Sequence, residues 1–243
     1  MIGTGLAGRT ALVTGTAHGI GAAIAAALRD EGATVHGADR VEVEGLGPNH
    51  VVDVSDAAAV ERLVATLPSV DILVNNAGGV VGQTRRPIED VTDEAWRAVI
   101  DANLTSAFVC TRAVAPRMKA AGWGRIVNIS SGAGRSVSLT GIQAYTSAKA
   151  GQIGFTRQMA FELGPFGITV NCIAPGFVLS NPSTEKQWQS YGPDGQAELV
   201  QGIALRRLGR ADDIAGGVRW FTSELASWVT GQVISIDGGH ALF

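Results

Sequence analysis

Residues 10–21 of the chain read TALVTGTAHGIG, and an alanine-rich segment follows them up to Gly32. The apolar start of this stretch predicts a buried strand, and the segment after the glycines predicts a helix. Between them, Gly15, Gly19 and Gly21 allow the backbone to approach a ligand closely and the helix to pack tightly on the strand. A strand, a glycine turn and a helix in this order predict a nucleotide site at the helix N-terminus, although an ordinary turn is the alternative.

The composition predicts one well-buried domain, residues 1–243. Of the 243 residues 46% are hydrophobic and only 17% are charged, and we find neither a Pro/Ser-rich linker nor an internal repeat. The net charge of −3 provides no basic surface for nucleic acid and no polybasic membrane patch, so neither is expected as a partner. Cys110 and Cys172 lie in apolar segments, which favours free thiols in a reducing, cytoplasmic compartment. Residues 1–8 do not resemble a signal peptide, and no apolar run reaches membrane-spanning length.

Strand-like and helix-like segments alternate along the chain. Further strands are predicted at residues 33–38, 51–54, 70–74, 125–129, 168–174 and 232–236. This alternation predicts a Rossmann-type doubly wound parallel sheet of about seven strands, with helices on both faces. The segment at about 177–206 is polar and weakly patterned, and it predicts a lid or substrate-binding loop with Trp188 and Tyr191 as isolated aromatics.

Acidic residues at two strand ends are candidates for contacts with the adenosine half of a dinucleotide. Asp39 ends the second strand, where a carboxylate would accept hydrogen bonds from a ribose diol. A carboxylate there would repel a 2′-phosphate and favours NAD, whereas the guanidinium of Arg40 favours NADP. Asp53 is either a contact to the adenine or simply the end of the third strand.

A second group of residues suggests acid–base chemistry. Tyr145 and Lys149 are four residues apart, so on a helix they share one face. At about 4 Å and an effective dielectric of about 20, the ammonium would lower the tyrosine pKa from about 10 by two or three units. The tyrosine would then be able to act as a base. Ser131 leaves the strand at 125–129 and is a candidate to hydrogen-bond the oxygen on which the tyrosine acts, although an isolated Tyr-x-x-x-Lys is more often a surface pair.

A polar residue interrupts the apolar face of another predicted helix. This helix begins after Thr92, and its apolar face includes Trp96 and Phe108. Asn103 lies in the same face, where an amide is costly unless it is hydrogen-bonded. It is therefore either a satisfied core amide or part of a site.

Together these motifs resemble the short-chain dehydrogenase/reductase family over nearly the whole chain. In chain order they are the glycine turn, Asn75-Asn-Ala-Gly78, Asn103, Ser131, Tyr145-x-x-x-Lys149 and Pro175-Gly176. Each motif is weak alone, and the six in register are specific. The glycine spacing also differs from the G-x-G-x-x-G of the two-domain dehydrogenases.

The resemblance implies hydride transfer between a secondary alcohol and NAD, or reduction of the corresponding ketone. It implies that Tyr145 is the general acid/base and that Lys149 lowers its pKa and holds the nicotinamide ribose. Ser131 would stabilise charge on the reacting oxygen, and Asn103 would support a water relay to the lysine. The catalytic candidates are therefore Asn103, Ser131, Tyr145 and Lys149.

The resemblance also implies an extended set of cofactor contacts. Asp39 is expected at the adenosine ribose, Asp53 and Val54 at the adenine, and the Val178 backbone at the carboxamide. His18 stands where NADP-preferring relatives often carry arginine, and a mostly neutral histidine weakens the case for NADP. The full set of candidates is Gly15, His18, Gly19, Ile20, Gly21, Asp39, Arg40, Asp53, Val54, Asn76, Ala77, Gly78, Tyr145, Lys149, Pro175, Gly176, Val178 and Ser180.

Two departures from the family pattern affect these candidates. Ser131 precedes Tyr145 by fourteen residues, where thirteen is usual, so Ser130 competes for the same role. Ser180 stands where threonine is commoner, but it keeps the hydroxyl.

Several alternatives remain open from the sequence. An NADP-dependent carbonyl reductase is the nearest, and an NAD-binding sensor or scaffold without turnover belongs to another class. Two further classes are disfavoured. A halohydrin-dehalogenase-like lyase would have lost the glycine turn, which is intact here, and a sugar-nucleotide epimerase would need a longer C-terminal part.

The substrate and the assembly are the least defined expectations. We expect a small polar secondary alcohol such as a polyol, sugar or cyclic alcohol, with Ser131, Trp188 and Tyr191 as candidate contacts and no evident arginine cluster in the loop. The resemblance implies a homotetramer formed through the helices that carry Asn103 and Tyr145. The four histidines show no metal-ligand spacing, so no metal is expected.

Overall fold

The structure, a computed structural model, describes residues 3–43 and 47–241. Seven strands form one sheet in the order β3-β2-β1-β4-β5-β6-β7, and every neighbouring pair is parallel. The predicted doubly wound sheet is therefore confirmed. The strands are β1 (Thr10–Thr14), β2 (Thr34–Asp39), β3 (Asn49–Val51), β4 (Ile72–Asn75), β5 (Gly124–Ile129), β6 (Ile168–Pro175) and β7 (Val233–Ile236).

Helices cover both faces of the sheet. One apolar layer includes Ile24 and Phe221 from two helices on the first face, and the other includes Val60 and Val114 from the second. Because helices cover the sheet on both faces, every residue of β1, β4, β5 and β6 is buried. The helices are α1 (Gly19–Asp30), α2 (Ala57–Thr66), α3 (Asp93–Ile100), α4 (Ser106–Ala121), α5 (Gln143–Leu163), α6 (Pro182–Ser190), α7 (Gly192–Gly202) and α8 (Ala211–Thr222).

The strand order reverses between β1 and β4, which makes a crevice at the carboxyl edge of the sheet. In open α/β sheets this switch point is where ligands bind. The glycine turn follows β1, and residues 76–78 follow β4. Ser130 and Ser131 follow β5 at the same edge, so the topology gathers the predicted motifs in one region.

The third strand differs from its predicted range of 51–54. It spans Asn49–Val51, and its last ladder bond runs from Val52 N to Asp39 O. The chain then turns because Asp53 Oδ1 accepts hydrogen bonds from Ser55 N and Ser55 Oγ, at 2.9 and 2.7 Å. Asp53 and Val54 therefore lie beyond the strand.

The predicted loop at 177–206 is instead largely helical. Asn181 caps α6 through a capping box with Thr184, and Pro182 occupies the first turn. Nor are the two aromatics isolated, because the rings of Trp188 and Tyr191 lie 6.0 and 5.9 Å from that of Phe177. This cluster attaches α6 to the segment that follows β6.

The helix predicted to begin after Thr92 is interrupted. Thr92 Oγ1 accepts a hydrogen bond from Ala95 N and caps α3, as expected. A π-turn over residues 101–105 then separates α3 from α4. Trp96 and Phe108 are each more than one-third exposed, so this apolar face is only partly covered within the chain. No helix in the described part of the chain is long and apolar enough to cross a membrane.

Candidate active site

The glycine turn forms a cradle that side chains would fill. Gly15 and Gly19 have φ values of +72° and +61°, which L-residues rarely adopt. A Cβ atom at Gly15 would lie 2.9 Å from Asn76 Nδ2, and one at Gly19 would lie 2.9 Å from Ser180 O. A Cβ atom at Gly21 would overlap the carbonyl oxygen of Gly15. The turn is thus compact and opens onto the N-terminus of α1, which fits the diphosphate of a dinucleotide.

The loop after β4 is fastened to this turn. Asn76 Nδ2 donates to Thr14 O and Gly15 O, both at 3.0 Å. Thr14 Oγ1 accepts from Asn76 N at 3.0 Å and from Ala77 N at 2.9 Å. Gly78 continues the loop with a φ of +146°, and a Cβ atom there would overlap Asn103 Oδ1. The two walls of the crevice are therefore held at a fixed separation.

Asp39 lies beside the glycine turn, as predicted. Its carboxylate accepts hydrogen bonds from Ala17 N at 2.9 Å and from Arg40 N at 2.7 Å. Arg40 is exposed, and its charge contributes to lowering the pKa of Asp53, after the larger effect of the Ser55 hydrogen bonds. Val54 is buried in the core. Arg40 is therefore already attracted to a carboxylate of its own chain.

The remaining cofactor candidates surround the same crevice. His18 is exposed at the N-cap of α1 without a side-chain cap bond, and Ile20 packs on the core. Val178 is buried and forms a short parallel bridge with Gly209. Pro175 ends β6 and Gly176 follows it, and Ser180 beyond them lies against Gly19.

Ser131 and Tyr145 come together, and Ser130 does not join them. Ser130 Oγ donates to Lys149 O at 2.7 Å and is buried, so its role is structural. Ser131 Oγ accepts from Ala133 N at 3.2 Å and remains half-exposed. Burial raises the pKa of Tyr145, and the hydrogen bond with Ser131 opposes this rise.

Lys149 is buried and is bonded to groups other than the tyrosine. Its Nζ donates to Ile129 O at 2.8 Å and to Gln152 Oε1 at 3.1 Å, and it lies 5.8 Å from the centre of the Tyr145 ring. Burial lowers the pKa of Lys149 to about 8. Desolvation disfavours the charged form of both groups, and the net rise of the tyrosine pKa comes from burial, so a lowering of this pKa by Lys149 stays a prediction.

Asn103 forms hydrogen bonds through both its side-chain amide and its main-chain carbonyl. Its side chain is fully buried and pairs with Gly79 in both directions, at 2.8 and 3.0 Å, and also donates to Val99 O. Its main-chain carbonyl, in the π-turn, accepts from Gln152 Nε2 at 3.0 Å. The amide of Gln152 therefore links the Asn103 carbonyl directly to Lys149 Nζ. Such π-turns are frequent at functional sites.

A family model described as enoyl-(acyl carrier protein) reductase matches residues 15–241. The chain belongs to the short-chain dehydrogenase/reductase family. Its resemblance to this family is thus confirmed, and the protein is an oxidoreductase of the short-chain dehydrogenase/reductase type.

The relatives share the fold over almost their full length. Nodulation protein G of Azospirillum brasilense is 40% identical, with 95% of this chain and 97% of that protein covered. A 3-oxoacyl-[acyl-carrier-protein] reductase of Synechocystis is 37% identical, with 99% and 100% covered. A 3-oxoacyl-[acyl-carrier protein] reductase of Brucella melitensis, solved with bound NAD, has a TM-score of 0.85 at 35% identity, with 98% of this chain and 92% of that chain covered.

A second solved structure carries the other nicotinamide cofactor. It is that of a proposed 2-deoxy-D-gluconate 3-dehydrogenase of Agrobacterium tumefaciens with bound NADP. Its TM-score is 0.89 at 32% identity, and 98% of both chains is covered. Short-chain dehydrogenase/reductases similar to this chain therefore include proteins with either cofactor bound.

Gln152 was not anticipated from the sequence of this short-chain dehydrogenase/reductase. It lies three residues after Lys149 on α5, and this spacing places both side chains on one helix face. That spacing was visible, but the acceptor carbonyl of the π-turn was not. Among the residues that the structure describes, no group of three His, Cys, Asp or Glu side chains is placed to hold a metal ion.

Proposed function

We propose that the protein interconverts a ketone and the corresponding secondary alcohol, with NAD(H) as the hydride carrier and Tyr145 as the general acid/base. The observation that carries the proposal is the convergence of Ser131 and Tyr145, with Lys149 behind them, at the crevice beside the glycine turn. The similarity to 3-oxoacyl reductases supports ketone reduction.

The residues around the crevice fit a dinucleotide. Gly15, Gly19 and Gly21 would hold its diphosphate, and Asp39 its adenosine ribose. When bound, this cofactor supplies the hydride chemistry. The protein positions the substrate against the cofactor and supplies the proton for the substrate oxygen.

Ser131 and Tyr145 act on the substrate oxygen. Ser131 donates a hydrogen bond that stabilises negative charge on this oxygen as the carbonyl is reduced. Tyr145 gives its phenolic proton to the same oxygen in reduction and takes it back in oxidation. The raised pKa of Tyr145 keeps the phenol protonated at neutral pH, which suits ketone reduction.

Lys149 resupplies the proton. With its pKa lowered to about 8, the ammonium can lose a proton near neutral pH, which a lysine of ordinary pKa cannot do. Its hydrogen bonds to Ile129 O and Gln152 Oε1 hold it at a fixed place beneath the tyrosine. The amide of Gln152 bonds to both the Asn103 carbonyl and Lys149 Nζ, and the water relay that the family resemblance implies stays a prediction beside this bridge.

NAD is preferred over NADP in this proposal. Asp39 lies where a 2′-phosphate would be repelled, and the charge of Arg40 is partly balanced by Asp53. Equilibrium titration should give tighter binding of NADH than of NADPH, and Asp39→Ala should narrow the difference. An NADPH affinity equal to or above that of NADH would instead favour the NADP-dependent carbonyl reductase.

Two lines of evidence bear on the substrate class. The sequence favours polyols, sugars and cyclic alcohols, with Ser131, Trp188 and Tyr191 as proposed contacts, and the relatives favour 3-oxo compounds. The test is a panel of both classes with NADH and NADPH in parallel, including Tyr145→Phe. We expect NADH-linked turnover that is lost in the variant. Cofactor binding without any turnover would point to a sensor or scaffold.

We also propose a homotetramer located in the cytoplasm. Exposed aromatic side chains on α4 and α5, among them Phe108 and Phe161, provide apolar surface for contacts between copies. Cys110 and Cys172 are unpaired, which fits a reducing compartment. A monomer mass in solution scattering would contradict the tetramer, and localisation of a tagged chain outside the cytoplasm would contradict the compartment.

A further inference from the structure

A cavity of about 630 Å³, wide open to solvent on one side, lies next to the first turn of α5. It forms where the loop after β4 meets the loop before α5, and Gln143, two residues before Tyr145, lines it. Arg85 and Arg86 also line it, whereas none of its lining residues is acidic. The volume is in the range of small-molecule sites.

Neither guanidinium is neutralised within the described part of the chain. Arg85 and Arg86 take part in none of its ion pairs, and the nearby Glu89 and Asp90 do not pair with them. Two adjacent cations without a partner attract an anion, and a guanidinium matches the geometry of carboxylate and phosphate oxygens.

The side chain of Arg85 and the main chain of Arg86 contact the helix that carries Tyr145 or the loop that precedes it. The stem of Arg85 lies on Gly141, where a Cβ atom would be 2.9 Å from Arg85 Cδ and where φ is +65°. The carbonyl of Arg86 accepts a hydrogen bond from Gln143 Nε2 at 2.9 Å. The arginine pair is therefore connected to the same turn of α5 that positions Tyr145.

We propose that the cavity at Arg85 and Arg86 binds an anionic group of the substrate, a carboxylate or a phosphate. The reacting ketone or alcohol lies at Ser131 and Tyr145 at the same time. This inference rests on the proposed function and narrows its substrate class from neutral alcohols to anionic ones. Ser138 also lines the cavity and is a further candidate partner for the anion, and its hydroxyl is held in place by hydrogen bonds with Thr140.

The experiment compares matched pairs of ketones that differ in charge. The pair 5-keto-D-gluconate and L-sorbose tests a carboxylate, and acetoacetyl-coenzyme A with S-acetoacetyl-N-acetylcysteamine tests phosphates. Each is assayed with NADH in the wild type, in Arg85→Gln and in Arg86→Gln. These variants keep the length of the side chain and remove its charge. Arg62→Gln, an exposed arginine on α2, is the matched control.

The wild type should prefer the anionic member of at least one pair. Each variant should lower kcat/KM for that member by about 10- to 100-fold, and should leave the neutral member and the affinity for NADH within about twofold. The responding pair identifies carboxylate or phosphate as the source of the charge. Equal losses for both members, or no loss in either variant, would overturn the inference.

A binding measurement separates this inference from the proposed function. If no ketone is turned over, calorimetry follows 5-keto-D-gluconate and acetoacetyl-coenzyme A binding to the NADH-loaded protein. Binding that weakens at least tenfold in both arginine variants would support the anion site while the proposed reaction fails. Absence of binding to the wild type would overturn the anion site.

Discussion

The inner and the outer parts of the site are built differently. At the inner end, Asn103 and Gln152 are fully buried and Lys149 is 3% exposed, and their polar groups are joined by hydrogen bonds of 2.8 to 3.1 Å. At the outer end, Arg85 is exposed, and Trp188 is half-buried on α6, the helix that follows β6. A buried hydrogen-bond network holds the reacting groups in one arrangement. Accessible residues at the rim can be substituted, and the ligand that they contact can change, without loss of the fold.

In the comparison of the two ends, the largest effect should follow from removing the charge of Lys149 at the inner end. Lys149→Met should lower kcat about 1000-fold, because proton transfer through a positioned group contributes on the order of 100- to 10,000-fold. Steady-state kinetics at saturating NADH measure the loss. Lys186→Met, an exposed lysine of α6, should behave like the wild type. A loss below tenfold in Lys149→Met would show that the inner network is not needed for the chemistry.

The same variant should change how stability depends on pH. Below pH 8 Lys149 is protonated in both the folded and the unfolded chain, and the folded state bears the full cost of burying the charge. Between about pH 8 and 10.5 only the unfolded chain retains the proton on this lysine. The contribution of Lys149 to the free energy of unfolding therefore increases as the pH rises through this range. The free energy of unfolding of the wild type minus that of Lys149→Met should therefore increase by about 3 kcal/mol over this window. Denaturant unfolding at several pH values measures it, and a constant difference would contradict the lowered pKa.

A smaller loss of activity should follow from removing the hydrogen bonds of Gln152 that connect Lys149 with Asn103. Gln152→Leu deletes an acceptor that favours the ammonium, so the pKa of Lys149 should fall further below about 8 and the pH profile of kcat should move to lower pH. Turnover should drop about tenfold. Gln152→Glu should move the profile in the opposite direction, and Gln158→Leu, exposed on the same helix, should not move it. A loss of activity with an unchanged profile would assign Gln152 a purely structural role.

The smallest effect should come from the outer end. Trp188→Ala removes ring contacts with Phe177 and Tyr191, which are worth about 0.5–1.5 kcal/mol each. KM should rise about two- to fivefold with little change in kcat. Trp228→Ala, at a nearly fully exposed tryptophan, is the control. A large fall in kcat would place the aromatic cluster among the residues that act on the reaction itself.

The same division explains which features could be read from the sequence. The glycine turn, the strand–helix alternation and the spacing of Tyr145 and Lys149 are local, and the structure places them as expected. The direction of the Tyr145 pKa shift was not predictable, because burial depends on the whole fold. Nor was the bridge from Gln152, which needs the carbonyl of a π-turn far away in sequence.

The outer end was harder to predict from the sequence for two reasons. The helices α6 and α7 are polar, so their sequence pattern indicated a loop. The capping box formed by Asn181 and Thr184 was a sequence signal for the start of α6. The proposed anion site at Arg85 and Arg86 depends on two loops that meet only in the folded chain. Sequence therefore predicts the inner end of this site better than the outer end.

The most direct test is a single turnover with NADH bound and a ketone of the panel in excess. The wild type should oxidise the bound NADH in one rapid phase, and Tyr145→Phe should slow this phase at least 1000-fold while it binds NADH equally well. That result would place proton transfer at Tyr145. Unchanged single-turnover oxidation in Tyr145→Phe would contradict the central claim that this tyrosine is the acid/base of the reaction.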